Sequence, residues 1–500
     1  MTAERVDRPN VLLVTADQWP GGLLGCAGHP VVQTPTLDQL ARNGVRYTCA
    51  YSESPICIPA RRTLLTGTDT RTHGDRVFKT AETWPHHLTS LPQAFRDAGY
   101  QAHAVGKLHV YPPRDRIGFD DVQLAEEGRP HLGATDDYEL FLADRGFVGQ
   151  QFAGGMNNNN YMHRPWHLPE TCHVTNWETQ MMCRTIKRRD PTRPNFWFLS
   201  YTAPHPPLVP LAEYVAFYRQ FAPPAALRAA WSDAADALPR ALQMGRNFWP
   251  TLSEGALREV RRAFYALCTH IDHQFRVVLG TLREEGLLDD TIIMFTADHG
   301  DMLGDHGLYA KRLFYEGAAR VPLLLMGAAG DGRVPTGVVD ERLVGLADVM
   351  PTLLDLAGVP IPETVRGQSI VGEGRRDFLY GDCLDDHAAT RMAHDGWHKL
   401  IWYPAGNHVQ IFDLTEGPTE LHDRANDPAY ATVRAVLTAR LCGALWDCDL
   451  AADWARDGVL VGYDPGPYQP KPDRSWSGQR GSHFPPPPQL APDLMVGFPQ

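Results

Sequence analysis

The stretch NVLLVTA, Asn10–Ala16, does not alternate: its interior is continuously apolar over the length of one strand. Such a run suits a strand buried on both faces, which calls for helices above and below a largely parallel sheet. Similar runs return in NFWFLSY, TIIMFTA and RVPLLLMG, and YQAHAV is strand-like. Between them lie helix-like segments: TPTLDQLARNG, with a threonine start and a Gly44 stop, LPQAFRDAG, REVRRAFYALCTHIDHQFRVVLGTLREEG and LADVMPTLLDLAG. This alternation predicts an α/β fold.

Near residue 375 the pattern changes. HKLIWYP, HVQIFDL and VRAVLTARLCGALW predict a small antiparallel sheet with one helix on it. The closing SHFPPPPQLAPDLMVGFPQ is Pro-rich, the composition of an extended arm. A chain of 500 residues exceeds what one core usually supports. The expected organisation is a large α/β domain over 1–375, a small α+β domain over 376–470, and a tail over 471–500 that could join copies into a homo-oligomer.

Charge narrows the partners. With 59 acidic against 47 basic residues, neither nucleic acid nor an acidic membrane is expected as the main partner. No apolar run approaches the ~20 residues of a membrane span. The opening MTAERVDRPN is charged and lacks the apolar stretch of a secretory signal. Nine cysteines without repeated spacing fit reduced thiols, and a cytoplasmic location is expected.

In open α/β sheets ligands bind beyond the carboxyl ends of the strands. Here the first run leads into Asp17-Gln18, and YQAHAV into Lys107 and His109 of GKLH. NFWFLSY leads to His205, and TIIMFTA to Asp298-His299. Either acidic pair alone is as well explained by a helix cap. Together, in matching settings, they form an oxygen-rich set with one nitrogen, suited to Ca²⁺, Mg²⁺ or Mn²⁺.

The stretch SPICIPARRTLLTG adds a cysteine. Pro59 fits the first turn of a helix continued by ARRTLLTG, which places Cys57 at a helix N-terminus, where N–H groups attract anions. Arg61 lies one turn on and offers a fixed donor fork. A thiol-phosphatase pattern is excluded, because it needs arginine six residues after the cysteine and Thr63 stands there. Nothing in the pattern selects a Cys-His protease.

CIPARRTLLTG resembles the signature of the sulfatase family, C-x-P-x-R followed by T-G. The likeness extends through PNVLLVTADQ, GKLH, APHPP, TADHGDMLGDHGLYAKRLFYEG, LADVMPTLLDLAG and IFDLTEGPTELHD. It implies an alkaline-phosphatase-like fold: a large mixed sheet flanked by helices, with a small C-terminal antiparallel sheet and helix. It also implies that a formylglycine-generating enzyme oxidises Cys57 to formylglycine, whose hydrated aldehyde attacks the sulfur of a small sulfated substrate.

The same resemblance assigns Asp17, Gln18, Asp298, His299 and modified Cys57 to one divalent metal ion. It gives Arg61 the diol, Lys107 and Lys311 the sulfate oxygens, His109 the second hydroxyl and His205 the leaving alcohol. Gln18 and His299 stand where many members have Asp and Asn. They resemble the branch of choline sulfatases and phosphonate monoester hydrolases, which leaves Ca²⁺ and Mn²⁺ both open. Phe78 stands near the place of a common asparagine, and Ala60 where serine is common. A phosphonate monoester or phosphodiester hydrolase is the alternative activity, and a non-catalytic scaffold the alternative class. His163 and His167, separated by Pro165, read as a substrate-pocket loop, and GAAGDG as a turn.

Overall fold

The structure is a computed structural model that describes residues 8–79, 82–128, 135–233, 238–248 and 251–469. The 471–500 tail expected to join subunits lies outside these residues. Eight strands form the main sheet: β1 (Asn10–Asp17), β2 (Val45–Tyr51), β3 (Gln101–Gly106), β4 (Asp121–Leu124), β5 (Asn195–Pro204), β6 (Thr291–Ala297), β7 (Leu323–Met326) and β8 (Val338–Gly345). Their order is β4-β3-β5-β1-β6-β7-β2-β8. Only β7 runs against its neighbours, so the sheet is mixed but mainly parallel.

The central strands are the continuous apolar runs. Val11–Leu13 pair with Phe196–Phe198 on one side and with Ile292–Met294 on the other. Every residue of β1, β5 and β6 is buried. Each large apolar side chain so placed contributes roughly 1.5–3 kcal/mol.

Helices cover the sheet. The longest, Glu254–Glu284, begins where Ser253 accepts from the Ala256 N–H, and buries Leu257, Val260, Phe264, Leu267, Ile271, Phe275, Val278 and Leu282 at helical spacing. Its Asp272 also starts another helix, accepting from the N–H groups of Thr36 (3.0 Å) and Leu37 (2.8 Å). The Pro35–Arg42 helix is therefore capped from a distance, not by the side chain of Thr34. The helix ends at Arg42 with Asn43 as its cap, just before Gly44, which does not take the left-handed conformation of a glycine stop. A Cβ on Gly44 would lie 2.0 Å from the Leu325 carbonyl oxygen, so glycine lets the chain enter the sheet against β7.

Past residue 375, β9 (Leu379–Cys383), β10 (Thr390–His394), β11 (His398–Tyr403) and β12 (His408–Asp413) form an antiparallel sheet. The Ala431–Ala444 helix buries Leu437 and Leu441 against Leu400, Trp402 and Ile411. Among the described residues no helix is long and apolar enough to cross a membrane.

Candidate active site

Because β1, β2, β3, β5 and β6 are mutually parallel, their carboxyl ends meet on one edge of the sheet. Asp17 closes β1, and Asp298 follows β6 directly. After β2 the chain turns once and begins a helix at Cys57, with Arg61 one turn on and Gly67 in the left-handed conformation as its stop. At the end of β3, Gly106 has φ +104. A Cβ there would lie 2.0 Å from the Ser200 carbonyl, an approach that lets the Lys107 N–H reach the same oxygen at 2.9 Å.

One ligand atom each from Asp17, Cys57, Asp298 and His299 lies within 4.8 Å of the others, and all four residues are buried. Cys57 Sγ is 3.2 Å from His299 Nε2. His299 Nδ1 lies 3.0 Å from the Gly300 carbonyl, which turns Nε2 toward the thiol. Asp17 Oδ1 is buried without a hydrogen-bond partner among the described residues. A partnerless buried carboxylate oxygen beside a second carboxylate, an imidazole and a thiol fits a divalent cation.

Arg61 ties the cluster together. It donates from Nε to Asp298 Oδ2 (3.0 Å), from Nη2 to Asp17 Oδ2 (3.2 Å), and from Nη1 to the Lys107 carbonyl (2.7 Å) and Ser200 Oγ (2.9 Å). One planar group thereby joins β5 and the ends of β1, β3 and β6 to the Cys57 helix. Lys107 Nζ pairs with Asp17 and, at 2.9 Å, with Glu127. Lys311 Nζ donates to Gln18 Oε1 at 2.6 Å. His109 packs its ring edge-on against Phe78, centroids 5.3 Å apart. Gln18 and His109 both take left-handed backbone, at φ +69 and +60. Such conformations in non-glycine residues concentrate at functional sites.

Electrostatics follow this crowding. Burial raises the Asp17 pKa, but Lys107, His205 and Arg61 outweigh it and hold the carboxyl at about 2. Burial opposes ionisation of Cys57 too, yet Lys311, Lys107 and His299 keep its thiol well below the ordinary cysteine range.

Three further carboxylates belong here. Glu127 Oε1 faces Lys107 and, at 3.3 Å, His205 Nδ1. Glu126 accepts the backbone N–H groups of Leu108 and His109, both at 2.8 Å. Asp301 binds the Gln18 amide nitrogen and the Tyr161 hydroxyl. None of the three is assigned a role from sequence, although Asp301 lies within the TADHGD motif; the pair at 126–127 follows a strand too short to announce itself.

Comparison with known proteins bears on what such a site does. The family model described as Sulfatase matches residues 9–359. The chain belongs to the sulfatase family. It is a sulfuric ester hydrolase. A second model, N-sulphoglucosamine sulphohydrolase C-terminal, matches residues 304–445 of this sulfatase. An arylsulfatase of Clostridium perfringens is 33% identical over 441 residues, covering 85% of this chain and 91% of its own. A choline-sulfatase of Rhizobium meliloti is 29% identical, covering 88% of each chain. Among solved structures, the phosphonate monoester hydrolase of Agrobacterium radiobacter superposes with a TM-score of 0.75 at 26% identity, over 87% of this sulfatase and 95% of that chain.

Of the histidines read as a pocket loop, His163 bridges to Leu208, and His167 Nε2 bonds the Gln150 carbonyl at 2.8 Å. Neither belongs to the metal-competent cluster. Gln151, Phe152 and Trp166 of that loop do line a cavity beside His205 and Glu127.

Proposed function

We propose that this sulfatase hydrolyses sulfate monoesters of small organic molecules, with Cys57 oxidised to formylglycine. One divalent cation, Ca²⁺ or Mn²⁺, would be held by Asp17, Gln18, Asp298, His299 and modified residue 57. The observation that carries the reading is the position of Cys57: at the first turn of a helix, within ligand reach of two carboxylates and an imidazole, with Lys107 and Lys311 beside it. When bound, the cation would draw charge from the sulfate oxygens and acidify a neighbouring hydroxyl.

The chain's own residues do the rest. Arg61 fixes both carboxylates and the register of the Cys57 helix. Lys107 and Lys311 place ammonium groups where negative charge grows on sulfate. The His205 Nδ1 is engaged by the Pro206 carbonyl (2.7 Å) and Glu127, which leaves Nε2 to protonate the departing alcohol oxygen. One hydroxyl oxygen of the hydrated aldehyde bonds to sulfur as the ester S–O bond breaks. His109 then takes the proton of the second hydroxyl, so the C=O bond re-forms and the C–O bond to sulfate breaks. No water has to attack a crowded anionic sulfur.

Protein co-produced with a formylglycine-generating enzyme should give a residue-57 peptide with the aldehyde mass and should turn over 4-nitrophenyl sulfate. Full thiol mass at Cys57 alongside undiminished turnover would overturn the reading. The phosphonate alternative has support from the 0.75 TM-score neighbour. A large preference for 4-nitrophenyl phenylphosphonate over the sulfate would establish it.

A further inference from the structure

A second feature beside the nucleophile concerns the rest of the substrate. A cavity of about 140 Å³ opens next to Lys311, walled mainly by Met244, Phe248, Leu308 and Leu313, with Arg312 at its side. An engineered apolar cavity of about this size takes up benzene, so one aromatic ring fits. The cavity therefore sets a largely apolar space beside Lys311, whose ammonium would meet the sulfate.

Arg312 is unlike the other arginines of the interior. Arg61 is bound by Asp17 and Asp298, Arg261 by Asp305, Arg320 by Glu316 and Arg391 by Asp449. Arg312 is half-buried, and among the described residues its guanidinium has no carboxylate or carbonyl partner. Its only described ring neighbour is Phe248, with the guanidinium carbon 5.6 Å from the ring centroid. The Arg312 N–H donates to the Pro55 carbonyl at 2.8 Å, which anchors this residue to the loop that leads into Cys57. Arg312 also has φ +78, so the backbone turns sharply just after Lys311. A half-buried cation that faces an aromatic ring has no opposing charge, and an anionic ligand group would supply one.

We infer that this cavity receives the organic part of the substrate, and that the substrate is an aromatic sulfate ester with a second anionic substituent, which pairs with Arg312 while Lys311 meets the sulfate. The inference rests on the sulfatase reading for its catalytic consequence, but not for binding. Recognition by a fork of charged donors favours a planar carboxylate.

The test compares 4-nitrophenyl sulfate with 3-carboxy-4-nitrophenyl sulfate. The carboxylated ester should show a kcat/KM roughly tenfold higher or more, the worth of one charge-assisted hydrogen bond. Arg312→Gln should collapse that ratio toward one. Met244→Glu, which adds a carboxylate to the cavity lining, should collapse it by a different route. Equal turnover of both esters by the unaltered enzyme, or a ratio indifferent to both substitutions, overturns the inference. Calorimetry on Cys57→Ala protein separates the two readings. There 4-hydroxybenzoate should bind more tightly than its methyl ester, and Arg312→Gln should abolish the difference. If neither ester is hydrolysed while this preference persists, the catalytic reading fails and the cavity assignment stands. If both esters are hydrolysed without it, the cavity assignment fails alone.

Discussion

At the level of single residues, Arg61 shows why charge alone does not define the site. Its guanidinium makes four directed contacts, one to Ser200 within β5 and three at the ends of β1, β3 and β6. Lysine would keep the charge but reach one or two partners from a single point. Arg61→Lys should therefore lower kcat/KM on an aryl sulfate by about 100-fold, the effect of a slight misplacement at a reacting centre. Thermal unfolding checks the other half: the variant should lose about 2–3 kcal/mol, because buried carboxylate contacts go unmade. Glu127 makes a different prediction. It touches both Lys107 and His205 without lying among the metal-competent residues. Glu127→Gln should reduce kcat roughly 10–100-fold with little change in KM, since it weakens the orientation of an acid and not substrate binding. Glu127→Asp should recover part of the loss. A KM effect as large as the kcat effect would contradict this role.

At the level of elements, the site depends on how the β2–helix turn is braced. Glu53, in that turn, accepts the N–H groups of Leu346 (2.8 Å) and Ala347 (3.1 Å), and so ties the approach to Cys57 to the end of β8. Burial, with nearby Asp348, pushes its carboxyl up to about 7. A carboxyl raised in the folded state favours folding fully below its unfolded value near 4.3 and ceases to do so as pH rises through 7. From pH 5 to 8 the unaltered protein should lose stability through this group, by an amount on the order of 3 kcal/mol. Glu53→Gln removes the titration and keeps an acceptor for one of the two N–H groups, so it is less stable at pH 5 but its unfolding should vary less over that range. Denaturant titrations at pH 5 and pH 8 decide it: parallel losses in both proteins would exclude Glu53 as the source. Legibility in the sequence also sorts by element. The fully buried runs of β1, β5 and β6 announce themselves because both faces are apolar, and the polar residues at their ends were readable as a site. β2 and β8 carry arginine, aspartate and glutamate on half-exposed faces, and β4 has only four residues, so none stands out. The Val174–Lys187 helix was missed for a like reason, its buried face including Asn176, Glu178 and Thr179. Glu126 and Glu127 follow β4, and their proximity to Lys107 comes from sheet order, which no local pattern encodes.

At the level of the whole molecule, the small sheet is joined to the large one through buried charge. Arg76 bonds Asp385 (2.7 Å), Asp449 (3.1 and 3.2 Å) and Asp382 (3.3 Å), while Arg391 grips Asp449 at 2.6 Å. Trp446 donates to Asp382 at 2.7 Å, and its ring lies 4.5 Å from the Arg76 guanidinium carbon. Lys399 makes a second join, meeting Glu316 (2.7 Å) and Glu420 (2.8 Å). Arg76→Met would keep much of the packing on Trp446 but leave three carboxylates facing one guanidinium. Removing one partner from a buried charge set costs about 3–5 kcal/mol, so the melting temperature should fall by several degrees. Burial already raises the Asp382 pKa, and loss of Arg76 removes an opposing influence. The deficit should therefore shrink in acid, where Asp382 can take a proton, and grow toward neutral pH. Adding Asp382→Asn to Arg76→Met should return part of the stability, because one uncompensated charge disappears. If the double variant is no more stable than the single one at pH 8, repulsion among the carboxylates is not what Arg76 relieves, and its lost hydrogen bonds and cation–π contact account for the join.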